Sequence, residues 1–286
     1  MSTKEQFEKM EKLYHFTSFD TAIKIIESNR LRFGRLNYMN DIHEFEKNVF
    51  IDINKHRTNK FLSEVLDTLH EEIYKYRQIS LTSDREEGDK EGFDLHQMWG
   101  LHADKGEGVC LVFDKKEMEK INESDTIYKG RVQYHKTKEL ESFLISSSIC
   151  SVDVLSEIKG RIHELFFHKR IEWEHEQEFR LMKRCPNPIR EEYLFFGQAL
   201  KFIILSSKFF NIDEVRFFKD IMYIKEKVKK IEEVRAKGNT GKIPILIYGN
   251  GLLDFSLVSE ENNEELWNSE EGYNILMYGK NYELAF

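Results

Sequence analysis

Charged residues that could do acid–base chemistry are concentrated in one short stretch of the chain. It reads WEHEQEFRLM, and in it Glu174, Glu176 and Glu178 alternate with other residues before Arg180. In an extended strand alternate side chains point to one face, so three carboxylates and a guanidinium would share a surface. Crowded carboxylates raise the pKa of at least one of them unless a cation such as Arg180 or Lys169 compensates. An extended conformation therefore predicts a poised acid–base site.

A helical conformation would give the same residues a less specific role. Glu176 and Arg180 would then form a surface pair worth only about 0.3–0.5 kcal/mol. Charge runs are commonly solvated faces. The residue pattern leaves both alternatives open, and we prefer the extended structure.

His15 is the second candidate for chemistry, because it lies in the stretch LYHFT just before an amphipathic helix. A strand end there would present the imidazole at a strand-to-helix corner, a frequent place for ligands. A lone histidine among aromatic residues is also commonly a hydrogen-bonded core residue, and Thr17 with Asp20 resembles a capping box. The site prediction requires His15 to share a cleft with the glutamate pair.

Further side chains could line such a site. Ser80 and Thr82 alternate on a predicted strand, where hydroxyls face a pocket or pair across strands. Trp99 and Trp173 could stack a flat ring, although filling the core is the more frequent role for a residue such as Trp99.

Hydrophobic periodicity predicts strands and helices in irregular alternation. Strands are expected at 13–16, 31–34, 79–82, 109–113, 126–134, 200–205 and 242–248, and helices at 4–12, 19–26, 61–76, 95–102, 138–170 and 213–237. The absence of a regular βαβ rhythm and of a phosphate-binding glycine loop favours an α+β fold over a doubly wound sheet. We expect a main domain of residues 1–210 and a helix and strand extension, 211–286, packed on it.

Composition places the 286-residue chain among ordinary globular proteins, with 40% hydrophobic and 33% charged residues. Its net charge of -8 argues against broad nucleic-acid binding, which needs many cations to neutralise phosphates. A charged N-terminus and no apolar run near the roughly 18 residues of a spanning helix predict a cytoplasmic protein without a membrane partner. Cys110, Cys150 and Cys185 fit neither a disulfide framework nor a zinc pattern, and reduced structural thiols are expected.

Several separate segments carry more specific motifs. They are Leu13–Thr17, Leu31–Phe33 running into Asn40–Glu44, Ser80–Thr82 followed by Met98–Trp99, Gly106–Phe113, and a lysine-led Trp173-x-x-Glu176-x-Glu178-x-Arg180 signature. Taken in order, they resemble an uncharacterised bacterial family, the domain of unknown function numbered twenty-nine seventy-one, over about residues 13 to 210. The chain departs from that family at Ile42, where a proline commonly follows Asn-Asp.

Members of this family resemble distant relatives of ADP-ribosyltransferases. That kinship implies a mixed, mostly antiparallel split sheet with flanking helices, and an NAD-consuming enzyme acting as a toxin or phage-defence effector. NAD would be a co-substrate, and no metal is expected. By resemblance to the Glu-x-Glu element of transferases, Glu178 would hold the nicotinamide ribose hydroxyl and Glu176 would orient or deprotonate the acceptor. His15 would hold the adenosine ribose.

The remaining contacts that this resemblance implies are less sharply placed. Tyr14, Tyr38 and Trp173 are all available to stack on nicotinamide. Arg180 and Lys169 could bind the pyrophosphate. Thr17 and Ser80 complete the predicted NAD-binding residues.

The chemistry of the residues agrees with that implication. Cleavage of the nicotinamide–ribose bond passes through an oxocarbenium-like state, for which a carboxylate is the natural electrostatic partner. The enzyme would transfer ADP-ribose to a macromolecular acceptor or hydrolyse NAD outright.

Two other classes of function stay open. In a non-catalytic module the same pocket would sense a nucleotide or a phage component, and the acidic C-terminus would recruit a regulatory protein partner. A metal-dependent nuclease could use Glu176, Glu178 and Lys183, because clustered carboxylates with a lysine can hold Mg²⁺ and activate water. The acidic net charge disfavours the nuclease.

Overall fold

The structure is a computed structural model of the chain. It describes residues 2–41, 49–51, 67–68, 70–85, 91–121, 127–136, 143–145, 156, 159–187, 189–210, 226–227, 229–231, 233–234, 243–249 and 251–254. Most of the predicted extension at 211–286 therefore lies outside the described residues, as does Cys150.

The secondary structure consists of short strands and short helices in irregular alternation. The strands are β1 Lys12–Thr17, β2 Arg30–Arg32, β3 Gly34–Arg35, β4 Val49–Ile51, β5 Tyr76–Ser83, β6 Val109–Asp114, β7 Ile127–Arg131, β8 Gln133–His135, β9 Phe143–Ile145, β10 His168–Arg170, β11 Glu178–Arg184, β12 Tyr193–Phe195, β13 Leu200–Ser206, β14 Ile245–Gly249 and β15 Leu252–Asp254. The helices are α1 Thr3–Lys9, α2 Phe19–Ser28, α3 His96–His102, α4 Lys115–Ile121 and α5 Ile162–Phe166, with 3-10 helices at Leu36–Tyr38, Gly92–Asp94, Asp104–Gly106, Ile171–Glu176 and Ser207–Phe210.

The chain divides into two compact units, each assembled from segments distant in sequence. The first unit comprises Met1–Arg30, Ser83–Ile121 and Phe195–Phe286, and the second comprises Leu31–Thr82 and Asn122–Leu194. The predicted separation of residues 211–286 from 1–210 stays a prediction, because so little of the extension is described.

The first unit is built on a mixed sheet with the strand order β15-β14-β13-β6-β1. All pairs in it are antiparallel except the parallel pair of β13 and β14. Residues 109–113 of β6 are completely buried, which explains why this strand reads as an unbroken apolar run. One core cluster contains Phe7 of α1, Trp99 of α3 and Phe202 of β13.

Close backbone packing in this unit requires a glycine before β6. A Cβ built at Gly108 would lie 2.3 Å from the carbonyl oxygen of Thr17 and 2.8 Å from that of Ala103. Any larger residue there would push β1 and the end of α3 away from the start of β6.

The second unit contains the antiparallel strand order β3-β5-β11-β7. Its smaller pairs, β8 with β10 and β4 with β9, are parallel, and β2 pairs with β12. The register of β5 and β11 sets Ser80 opposite Arg180 and Thr82 opposite Glu178. Directly opposite residues share a face of the sheet, so these four side chains lie on one surface.

The predicted α+β class with a mostly antiparallel mixed sheet and several helices is confirmed. The expectation of a long helix over residues 138–170 is wrong, because β9 and β10 lie within it and α5 covers only Ile162–Phe166. Pairing of β10 with β8 decides this conformation, and such nonlocal pairing overrides local propensity.

The predicted cap of α2 is displaced by one residue. The N-cap is Ser18, whose hydroxyl accepts a hydrogen bond from the backbone N–H of Thr21. Thr17 is instead the last residue of β1.

Candidate functional site

The acidic stretch adopts two conformations joined at Gln177. Residues Ile171–Glu176 form a 3-10 helix, and β11 begins at Glu178. Gln177 between them has left-handed backbone angles of φ 45° and ψ 47°. Its backbone N–H and its side-chain amide both donate to the carbonyl of Glu174, at 3.1 and 2.7 Å. A non-glycine residue enters this region only with such local support.

This turn corrects the predicted arrangement of carboxylates. Strand alternation begins only at Glu178, because Glu174 and Glu176 belong to the 3-10 helix. The three glutamates therefore do not share a strand face, and Glu174 is exposed. Glu176 and Glu178 are nevertheless both buried. The turn at Gln177, and not strand alternation, brings their carboxylates to one place.

A buried ion cluster, defined as Lys169, Glu176, Glu178 and Arg180, forms at that place. The Lys169 ammonium lies 2.7 Å from Oε2 of Glu176 and 3.0 Å from Oε2 of Glu178. Nε and Nη2 of Arg180 each donate to a different oxygen of Glu178 at 2.8 Å. Both side chains of that bidentate pair are almost fully buried, Glu178 at 2% and Arg180 at 0% exposure.

Neighbouring elements of the second unit hold the cluster in position. Arg180 is two residues from Glu178 on β11, so both side chains point to the same face. Nη1 of Arg180 also donates to the carbonyl of Phe166 at the end of α5. The hydroxyl of Tyr134 accepts the backbone N–H of Glu178 at 2.9 Å, and Lys169 is carried by β10 beside it.

The cluster keeps Glu178 ionised. Burial alone raises the pKa of this carboxyl, but the charges of Arg180 and Lys169 and hydrogen bonds from Arg180 and Ser80 outweigh burial. The pKa of Glu178 is consequently held well below its usual range. Two cations, Arg180 and Lys169, therefore compensate the charge of Glu178.

Ser80 is an exposed residue within this otherwise buried surface. It lies opposite the fully buried Arg180, yet its own side chain is exposed. Its hydroxyl is among the groups that lower the pKa of Glu178, and its Oγ accepts from Nε2 of Gln78 at 3.2 Å. Ser80 is therefore an exposed residue of β5, the strand that pairs with the one carrying Glu178.

Trp173 extends the cluster on the side of the 3-10 helix. The Lys169 ammonium lies 5.3 Å from the centroid of the Trp173 ring, a cation–π geometry. The Trp173 ring also stacks with His175 at 6.0 Å between centroids. The partly exposed indole therefore contacts the same lysine that pairs with both glutamates.

The predicted residues near the N-terminus belong to the first unit. His15 lies on β1 opposite Leu111 of β6 and is partly exposed, whereas Tyr14 and Thr17 of the same strand are buried. Adjacent strand residues point to opposite faces, so Tyr14 faces away from His15. The Tyr14 hydroxyl donates to Asp84 at 2.8 Å. The roles predicted for these residues, and a cleft shared by His15 and the glutamates, stay predictions.

Other residues singled out in the sequence have ordinary structural surroundings. Tyr38 is 73% exposed, and Trp99 is a core residue whose Nε1 donates to the carbonyl of Phe93 at 2.8 Å. Cys110 and Cys185 are free and buried. Lys183, proposed for a nuclease site, lies 3.0 Å from Glu192. It is an odd number of residues from Glu178 on β11, so it points to the other face of the sheet.

Sequence reasoning missed three contributors in the second unit. Tyr134 has no signal in the sequence that links it to Glu178. Gln78 lies two residues before Ser80 on β5, so the alternation that selected Ser80 could have selected it also. Tyr76 continues the same alternation.

A family model matches part of the chain. Residues 98–181 match the model of a family described as "Protein of unknown function (DUF2971)", which confirms the family resemblance of the sequence over that stretch. The matched residues include the whole buried ion cluster, whereas His15, Tyr14, Thr17 and Ser80 lie outside them. No curated protein and no solved structure matches the chain.

Two features are absent from the part of the chain that the structure describes. None of their helices has the length and apolar character needed to cross a membrane. Among those residues no group of three or more histidine, cysteine, aspartate or glutamate side chains is arranged to hold a metal ion.

Proposed function

We propose that the chain is an NAD-consuming enzyme of ADP-ribosyltransferase type, which transfers ADP-ribose to a macromolecule or hydrolyses NAD. The observation that carries this proposal is the Glu178 carboxylate, which is buried, contacts Lys169 and both donors of Arg180, and has a pKa held well below its usual range. An ADP-ribosyltransferase-like split sheet and a role as a toxin or antiviral effector belong to the same proposal.

The proposed reaction breaks the bond between nicotinamide and the ribose carbon C1′. Nicotinamide leaves with the bonding electrons, and C1′ and the ring oxygen share a positive charge in the transition state. A fixed carboxylate stabilises that charge more strongly in surroundings from which water is excluded. A water molecule or an acceptor side chain then forms the new bond to C1′ and loses its proton.

Each member of the cluster has a separate role in this reaction. Glu178 is the carboxylate that faces the developing charge, and Glu176 orients the attacking group or accepts its proton. Arg180 is a positioning residue, because its buried guanidinium is committed to Glu178 and to the Phe166 carbonyl. Lys169 links the two glutamates and the Trp173 ring.

The test is incubation of the purified chain with NAD, with free nicotinamide and labelled macromolecules as readouts. Glu178→Gln should lower nicotinamide release by at least about a hundredfold, the scale of losing a positioned catalytic group. Glu174→Gln is the matched control, since this exposed glutamate lies in the same stretch and outside the cluster. Circular dichroism should show both variants folded. Absence of release by the unaltered chain would contradict the proposal.

A non-catalytic binding module is the second candidate, and one observation favours it. Both oxygens of Glu178 already contact cations of the chain, as in a cluster that only holds the fold together. This candidate predicts that NAD or another nucleotide raises the melting temperature without product formation. It also predicts that any stabilisation by the ligand survives in the folded Glu178→Gln variant.

A further inference from the structure

Two alternate residues of β5, Tyr76 and Gln78, each carry a buried polar atom with no hydrogen-bond partner among the residues that the structure describes. These atoms are the hydroxyl oxygen of Tyr76 and the side-chain carbonyl oxygen, Oε1, of Gln78. The residues are only 1% and 2% exposed. Buried polar groups are almost always paired, so two neighbouring exceptions call for a ligand or ordered water.

Both atoms belong to the face of the sheet that carries the buried ion cluster. Tyr76, Gln78 and Ser80 are successive alternate residues of β5, and Ser80 is opposite Arg180. Alternate strand residues share one face. The Tyr76 ring lies 4.8 Å from the Phe166 ring, and the Phe166 carbonyl accepts from Arg180. The row Tyr76–Gln78–Ser80 is therefore continuous with the surroundings of Glu178.

Hydrogen bonding determines which end of the Gln78 amide is unpartnered. The amide nitrogen Nε2 of Gln78 can only donate, and it lies 3.2 Å from Oγ of Ser80. The Ser80 oxygen then accepts from Nε2 of Gln78. Oε1 of Gln78 is left as an acceptor that lacks a donor.

Tyr76 supplies the complementary group. Burial raises the pKa of its phenol well above the usual range, so the hydroxyl keeps its proton. A phenol has one proton to donate. The row thus offers one acceptor, on Gln78, and one donor, on Tyr76, from neighbouring side chains.

We propose that Tyr76 and Gln78 recognise a planar primary carboxamide, which for this enzyme is the amide group of nicotinamide. The amide NH₂ donates to Oε1 of Gln78, and the amide oxygen accepts from the Tyr76 hydroxyl. A carboxylate at the same place has no proton for Oε1 and is rejected. The inference rests on the proposed function, because nicotinamide is the leaving group of that reaction.

The first experiment measures binding and does not depend on turnover. Calorimetric titration with nicotinamide and with nicotinic acid should show nicotinamide bound at least about tenfold more tightly, since a site built for an N–H rejects a ligand without it. Tyr76→Phe, which keeps the packing on Phe166, and Gln78→Met should each reduce that preference about tenfold. Tyr74→Phe, an exposed tyrosine two residues earlier, is the matched control and should preserve it.

A second experiment separates this inference from the proposed function. It compares the KM values of NAD and of its analogue with nicotinic acid in place of nicotinamide. Preferential nicotinamide binding without release from NAD would support the carboxamide site and overturn the proposed reaction. Nicotinamide release with equal KM values for the two dinucleotides would support the proposed reaction and overturn the carboxamide site. Three results would overturn the inference: equal binding of the two free ligands, binding of neither, or a preference that survives both variants. Water would then be the partner of the two buried atoms.

Discussion

Each unit of the molecule contains a buried lysine that faces two carboxylates, and the two clusters differ in their access to water. In the first unit Lys12 lies 3.7 Å from Asp84 and 3.0 Å from Glu91, whose side chains are 31% and 40% exposed. In the second unit Lys169 faces Glu176 and Glu178, which are 8% and 2% exposed as side chains.

The difference in exposure determines how each cluster compensates its charges. Asp84 and Glu91 keep part of their hydration. The Lys12 ammonium also donates hydrogen bonds to the carbonyls of Phe7 and Met10, at 3.1 and 3.3 Å. Glu178 has lost its hydration and has a second cation, Arg180, in its place. Similar residue types therefore anchor the end of α1 in one unit and create a dry, ionised carboxylate in the other.

The largest effect is expected from Arg180→Met, which leaves Glu178 buried with only part of its compensation. Removing one partner of a buried ion pair costs about 3–5 kcal/mol, measurable as a lower free energy of unfolding in urea. The matched control is Arg184→Met on the same strand, because Arg184 is partly exposed and Glu72 keeps its contact with Lys75. A loss no larger than that of the control would contradict the comparison.

Acid should weaken the second unit through Glu178. The folded-state pKa of this carboxyl lies below its unfolded value of about 4.3, because Arg180 and Lys169 outweigh burial. Its contribution to stability is then complete above that unfolded value and is lost as the pH falls below it. Urea unfolding from pH 7 to pH 3 should show a steeper loss for the unaltered chain than for Glu178→Gln. Parallel curves would contradict the assigned ionisation.

A smaller loss, about 1–2 kcal/mol, is expected from Lys12→Met in the first unit. Its two carboxylates can turn to water, so the loss reflects mainly the hydrogen bonds that Lys12 makes to carbonyls. Lys116→Met is the control, since this lysine is exposed and its pair with Glu11 lies on the surface. A loss equal to that of Arg180→Met would show that exposure of the carboxylates does not set the cost.

The smallest effect is expected from Tyr14→Phe, which removes only the hydroxyl that donates to Asp84. Asp84 keeps the backbone N–H of Gly92 at 2.8 Å and part of its hydration, so we expect a loss of about 1 kcal/mol. Tyr193→Phe, at an exposed tyrosine, should stay within about 0.5 kcal/mol. Differential scanning calorimetry can resolve the two variants.

Strands that are buried on both faces were predictable from the sequence. Residues 109–113 are an unbroken apolar run, residues 200–205 are apolar except for Lys201, and both became strands of the first unit. The fold around the acidic stretch was harder to predict, because the left-handed residue there is Gln177 and not a glycine. Residues 168–170 were assigned to a helix since nothing local indicates their pairing with Gln133–His135.

The candidate site was predicted in part. Glu176, Glu178, Arg180 and Lys169 were selected from charge alternation and one motif, and the structure brings all four together. Gln78 and Tyr76 continue the alternation of Ser80 and Thr82 but were not selected, because an amide and a phenol on a strand do not by themselves indicate a site. Their significance comes from what surrounds their polar atoms, and residue order carries no record of that.

The order of residues sets which stretches are apolar enough to be buried and which charges are available near residue 178. Only the tertiary structure decided that Lys169 reaches both glutamates and that Ser80 stays exposed beside them. Contacts between β10, β11 and β5 depend on strand pairing between segments distant in the chain. Burial then sets the local dielectric response, so the charge state of Glu178 is a property of the assembled unit and not of its own stretch of sequence.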